Sequence, residues 1–224
     1  MNNQNKTVEL LKPAEIEKRS FEIISEELEN TEVVINGNVP VTGAEDAKVM
    51  SVIKRCIHTT ADFDYAKTMY FSDRAIDTLE DLIKSGATVV TDTNMALSGI
   101  NRKELSKYGC SAFCFMSDEA VAKEAAERQL TRAHVSMEHA MEIEGDVIFV
   151  VGNAPTALIT LGEHFDTGTY RPAFIVGVPV GFVNVTVSKE MIRGTGIPCI
   201  LNMGRKGGSN VAAAIINAVL YGMR

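Results

Sequence analysis

Apolar residues recur along the chain in two different rhythms, and the change falls near residue 85. Before it the spacing is helical. After Pro13, the positions Ile16, Ile23, Ile24 and Leu28 mark one stripe with charges elsewhere, which predicts a helix. Val49, Ile53, Cys56 and Ile57 give the stretch GAEDAKVMSVIKRCIH a second helical core face, with Thr42 and Glu45 read as its capping box. His58 falls in the last turn of that helix. Beyond residue 85 the apolar runs are short, β-rich and unbroken: 87–93, 110–116, 146–152, 173–179 and 197–204. Unbroken runs fit strands buried on both faces. Helical segments separate them. Ser117-Asp118-Glu119 opens one, Thr131 opens another that Gly145 closes, and Pro155 stands near the first position of a third. Alternating strands and helices predict an α/β fold, a three-layer α/β/α arrangement with a mainly parallel sheet of about five strands.

Ligands on such sheets sit beyond the carboxyl ends of the strands. The segments leaving the strands are TDTNM, GNAPT, VPVGF and GRKGGS. GRKGGS (204–209) combines glycines, which let backbone approach a ligand, with Arg205, Lys206 and the start of an apolar helix, whose free N–H groups attract anions. Its spacing fits neither a Walker A loop nor a dinucleotide fingerprint. It reads as an anion site or as a tight turn with solvated charges. In GNAPTAL (152–158), Asn153 and Thr156 can offer hydrogen bonds beside free first-turn N–H groups, or can simply cap the helix. PVGFV (179–183) is either a wall for a flat apolar ligand or a buried connector.

Composition narrows the class. With 224 residues, 46% of them hydrophobic and 23% charged, one globular domain spanning 1–224 is expected, its first dozen residues frayed. A net charge of −7 argues against nucleic-acid binding, while local Arg and Lys still admit a small anion. No signal-peptide pattern and no membrane-length apolar run are seen. The scattered Cys56, Cys110, Cys114 and Cys199 read as reduced residues of a cytoplasmic protein. Cys110 and Cys114 are wrongly spaced for a zinc knuckle and are expected on one face of a strand, which argues against a metal at that pair.

The histidines separate by their neighbours. His134 and His139, five apart, do not share a helix face as a metal pair would. His134 with Glu138 reads as a surface pair, and His164 beside Glu163 and Asp166 as solvated. His58 differs. Arg55 lies three residues before it, so both can project the same way. A helix C-terminus favours the imidazolium and Arg55 opposes it, which leaves His58 an acid/base candidate near neutrality or an ordinary capping residue.

Six segments in order, KRSFEII (18–24), RCIHTTADF (55–63), TDTNMALSGINR (91–102), GNAPTAL, PVGFV with SKE (188–190), and GRKGGS, resemble the precorrin-8 methylmutase family of cobalamin biosynthesis. The resemblance covers most of the chain from residue 13. It implies an isomerase that moves a methyl from C-11 to C-12 of a tetrapyrrole, converting precorrin-8 to hydrogenobyrinate or cobalt-precorrin-8 to cobyrinate, with no redox or nucleotide cofactor. It implies that His58 donates and accepts the proton and that Ser20 and Arg55 contact substrate. A flat disc fringed with carboxylates would then find Met95, Pro179, Val180 and Phe182 for its faces. Arg55, Arg205, Lys206 and the helix starts after Asn153 and Gly208 would serve its edge. The family is dimeric with substrate near the subunit boundary, which would let Arg102 or Arg132 reach it. HTTADFDYA resembles the cobalt-dependent members, where cobalt arrives within the substrate, which implies no metal site on the protein. A second reading is a non-catalytic corrinoid carrier, which would not need His58 as an acid.

Overall fold

The computed structural model describes residues 10–42 and 46–224. Pro13, at a position where its missing N–H goes unused, opens α1 (Pro13–Leu28). Of the expected stripe, Ile24 and Leu28 are buried while Ile16 and Ile23 stay exposed, so α1 docks by its C-terminal half. A small hairpin follows, β1 (Val34–Ile35) and β2 (Val39–Pro40). Its turn has positive φ at both Asn36 and Gly37, as an Asn-Gly hairpin turn requires. The helix α2 (Ala47–Thr60) begins after Asp46, and Thr42 donates its backbone N–H to the Asp46 carboxylate at 2.8 Å. Thr42 is therefore not the N-cap expected from the sequence, and Glu45 lies outside the described residues. The chain then runs through α3 (Tyr65–Thr68), β3 (Met69–Phe71), α4 (Ala75–Lys84), β4 (Thr88–Thr91), α5 (Asn94–Gly99), α6 (Arg102–Ser106) and β5 (Ala112–Phe113). After these come α7 (Glu119–Arg128), α8 (Arg132–Met141), β6 (Val147–Val151), α9 (Pro155–Asp166), β7 (Phe174–Gly177), α10 (Val185–Thr195), β8 (Cys199–Asn202) and α11 (Ser209–Gly222).

The main sheet has six strands in the order β3-β8-β7-β6-β4-β5, one more than the sequence suggested. The added strand is β3, an edge strand antiparallel to β8, with Met69 opposite Asn202; the other neighbours are parallel. The stretch 110–116 supplies only the two residues of β5 before a 3-10 turn, so Cys110 and Cys114 do not share a strand.

All of β6 is buried, and its side chains alternate between two cores. Ile148 and Val150 join α1, α2, α4 and α11 on one face, while Val147, Phe149 and Val151 join α8, α9 and α10 on the other. Period-two alternation with both sides apolar is the physical origin of the unbroken sequence run. Helix α11 is apolar on nearly every side because it is wedged between the sheet, α2 and α5. At Gly99 on α5 an added Cβ would stand 2.8 Å from the Ala213 Cβ, which shows how close that packing is. Among the described residues no helix is long and apolar enough to cross a membrane.

Candidate active site

Helix α2 ends in a left-handed residue, Ala61, whose N–H closes the last turn on Ile57. In that turn His58 is exposed, and Arg55, one turn earlier, is half-buried. Both line a cavity of about 540 Å³ bounded by Glu17 of α1, Asn210 and Asn217 of α11, and Arg224. His58 also borders a second space of about 300 Å³, lined by Ser20, Ile23 and Phe63 among others. His58 thus stands between two openings, with Ser20 on one side and Arg55 on the other. The Ser20 hydroxyl donates to its own helix, to the Ile16 carbonyl at 2.9 Å.

Stacked planes hold the side chains that line the cavity. The Phe21 ring lies 4.9 Å from the His58 ring, 15° from parallel. The Arg55 guanidinium sits 4.6 Å over Phe21 and 5.2 Å from Tyr221, and Arg224 lies 4.4 Å over the other reach of Tyr221. A guanidinium held between two rings is fixed in plane and aim. Arg55 Nη1 donates to Glu17 Oε1, and that bond holds the Glu17 carboxyl below the usual carboxylate range.

The approach to α9 is held by a group that the reading of the sequence did not point to. The three backbone N–H groups just before the first residue of α9, Pro155, meet the buried carboxylate of Asp92, one residue beyond β4. Oδ1 accepts from Gly152 at 2.8 Å, and Oδ2 accepts from Asn153 and Ala154 at 2.7 and 2.6 Å. Burial raises the Asp92 carboxyl while these three donors oppose it. The turn that enters α9 is therefore tied down from within, and those three N–H groups do not meet an anion; the first-turn N–H groups of α9 begin at Thr156. The Asn153 side chain is exposed, Thr156 bonds Thr131 at 3.2 Å, and Arg132 is exposed beside them.

GRKGGS is held just as firmly. Fully buried Lys189 donates from Nζ to the Gly204 and Lys206 carbonyls at 2.8 and 2.9 Å, and Asn202 adds a bond to the Lys206 carbonyl. At Gly207 an added Cβ would lie 2.0 Å from the Val178 carbonyl oxygen, so only glycine fits. The Lys206 ammonium is bound to Asp62 and Asp64, which ties this loop to the end of α2 and raises its pKa. Arg205 lies over the exposed Phe182 ring at 5.4 Å. Met95 is 71% exposed on α5.

Burial brings the Lys189 ammonium down to about 7. An unfolded lysine titrates near 10.4, so between these values the unfolded chain binds a proton that the folded chain does not. Stability then rises with pH, by at most about 1.4 kcal/mol per unit. Lys189→Met removes that slope. In urea unfolding from pH 7 to 9, the stability gap between parent and variant should widen in the parent's favour. A gap that ignores pH would show that Lys189 stays charged.

The remaining histidines form a different cluster. His134 bonds both Thr160 at 2.8 Å and Glu138 at 3.2 Å, and His164, expected to be solvated, is half-buried with Nδ1 2.9 Å from Thr169. His139 meets Glu124 at 2.8 Å. The cysteines are free thiols, and no described group of His, Cys, Asp or Glu is arranged to hold a metal ion.

Of the residues singled out from sequence, the structure gathers Ser20, Arg55 and His58 around the two spaces. Met95, Asn153, Thr156, Arg132, Arg205 and Lys206 do not line them. The reading of the sequence missed Glu17, Phe21, Tyr221, Asp92 and Lys189. Asp92 had a signal, a carboxylate directly after a buried strand; Lys189 had none beyond its place in an amphipathic helix.

The sequence pattern of the precorrin-8X methylmutase family matches residues 15–222. A cobalt-precorrin-8 methylmutase of Salmonella typhimurium is 43% identical over 213 residues, covering 95% of this chain and 96% of its own. One from Leptospira interrogans is 42% identical over 213 residues, covering 92% and 91%. The crystal structure of a precorrin-8X methylmutase from Thermus thermophilus superposes with a TM-score of 0.78 at 31% identity, over 92% of this chain and 96% of that one.

Proposed function

The chain belongs to the precorrin-8X methylmutase family, and from that premise we propose that it moves the C-11 methyl of cobalt-precorrin-8 to C-12, giving cobyrinate. The observation that carries the reading is the placement of His58, an exposed imidazole between two spaces with a fixed guanidinium one turn away. A methyl shift around a conjugated ring needs electron density drawn from the migration terminus. His58 supplies that by protonating the neighbouring ring nitrogen, and takes the proton back once the C-11 bond has broken and the C-12 bond has formed. No atom is gained or lost. Arg55 holds a carboxylate of the ring edge through its planar fork. The spaces, about 540 and 300 Å³, fall in the usual range of ligand pockets. The names of the Salmonella and Leptospira relatives favour the cobalt-containing substrate, with the metal brought in by that substrate.

The proposed working form is a homodimer with the site near the subunit boundary. Met95, Val180, Phe182 and Val183 expose apolar surface at the carboxyl end of the sheet, where a second copy and the substrate disc would cover it. In such an assembly Arg102, Arg132 and Arg205, all exposed, could meet the carboxylate fringe from either copy.

The test is to mix the purified protein with cobalt-precorrin-8, and separately with metal-free precorrin-8, and follow absorption and mass. Conversion to the corrin at unchanged mass is expected, faster with cobalt. Faster conversion of the metal-free substrate would reverse the branch. A stoichiometric, reversible spectral shift with no isomer formed would replace the enzyme by the carrier.

A further inference from the structure

We infer that Glu17 is a built-in competitor for Arg55, the carboxylate that a corrinoid carboxylate must displace on entry and that returns to expel the product. This rests on the reading that Arg55 grips a carboxylate of the ring edge. Arg55 is 21% exposed and held between the Phe21 and Tyr221 rings, so the acid must come to the guanidinium. Among the described residues the carboxylate paired with Arg55 is that of Glu17. Glu17 itself is 61% exposed and belongs to the run 10–18 in which every residue is exposed. Moving its side chain off Arg55 uncovers no core. The cavity that Glu17 leaves is the one that Arg55 and His58 share.

The chemistry gives this exchange a purpose. A methyl shift leaves every carboxylate of the substrate in place, so Arg55 binds substrate and product alike. Such uniform binding lowers KM without helping the chemical step and slows release. A tethered carboxylate of similar basicity weakens both complexes equally. An exposed carboxylate is ionised at neutral pH, so the competitor stays charged both on and off Arg55, and the bond to Arg55 lowers its carboxyl further.

The experiment is Glu17→Gln, alone and combined with Arg55→Ala, with cobyrinate binding followed by titration and stopped flow, and turnover measured on cobalt-precorrin-8. An exposed ion pair of this kind corresponds to an exchange of about two- to fivefold. The single variant should bind cobyrinate tighter by that factor, with the change in the dissociation rate and a matching fall in KM. In the Arg55→Ala background the same substitution should change nothing. Weaker or unchanged binding by Glu17→Gln would overturn the inference, the former by showing that Glu17 aims Arg55 for substrate. An equal gain without Arg55 would also overturn it, since repulsion by the acid alone would then explain the effect. Binding and turnover by the parent chain test the underlying reading separately.

Discussion

His58→Ala should fold, bind the corrinoid and lose about 10²–10⁴-fold in turnover of cobalt-precorrin-8. The side chain is exposed at the end of α2 and donates no bond to the core, so removing it costs the fold little beyond one ring contact with Phe21. Its chemistry is harder to replace. A general acid works within hydrogen-bond reach and with a proton affinity near ambient pH, and imidazole is the side chain whose ordinary value lies there. Arg55 cannot substitute, because a guanidinium keeps its proton at any working pH. Binding should survive because Arg55, Ser20 and the cavity walls remain. The check is single-turnover kinetics beside a binding titration. Loss of kcat at an unchanged dissociation constant supports the acid role. Parent-like turnover would move the acid elsewhere, and a dissociation constant weakened in step with kcat would make His58 a binding residue.

How much of this was legible beforehand follows from where the forces act. The run 146–152 declared a buried strand because Ile148 and Phe149 must each find an apolar neighbour on opposite faces. The strand β3 did not, since it is three residues long, sits at an edge, and is defined by pairing with β8 far along the chain. The β1–β2 hairpin had a local mark in Asn36-Gly37 that the helical stripes on either side overshadowed. At the site, Arg55 and His58 were legible because their relation is helical spacing. Glu17 and Phe21 were not, because nothing local states that α1 lies across the end of α2. The loops misled for the same reason. A free ammonium at Lys206 is a correct local inference that the distant Asp62 and Asp64 cancel, and nothing local at GNAPT states that Asp92 takes the three N–H groups ahead of its helix.

Asp92→Ala should lower stability by about 3–5 kcal/mol, the range for stripping the partner from buried charge-assisted bonds. In a chain of this size that is a fall of about 10 °C in Tm. The carboxylate is fully buried and serves three consecutive N–H groups of the turn that leads from β6 into α9. Alanine leaves those donors facing a hole that its methyl does not fill. Asp92→Asn keeps the shape but turns an amide NH2 toward an N–H donor, so it should fall between the two. The damage should also reach the site. A Cβ on Gly152 would stand 2.7 Å from the Ser209 Cα, so the segment that Asp92 holds is pressed against the start of α11. The next residue there, Asn210, lines the cavity of Arg55 and His58. Loosening this turn should therefore raise KM even below the melting temperature. Thermal unfolding and steady-state kinetics on the same preparation check both parts. An Asp92→Ala protein melting within about 2 °C of the parent would mean that water or a neighbouring side chain serves those three N–H groups equally well. Lower stability with parent KM would mean that α11 holds its place without this support.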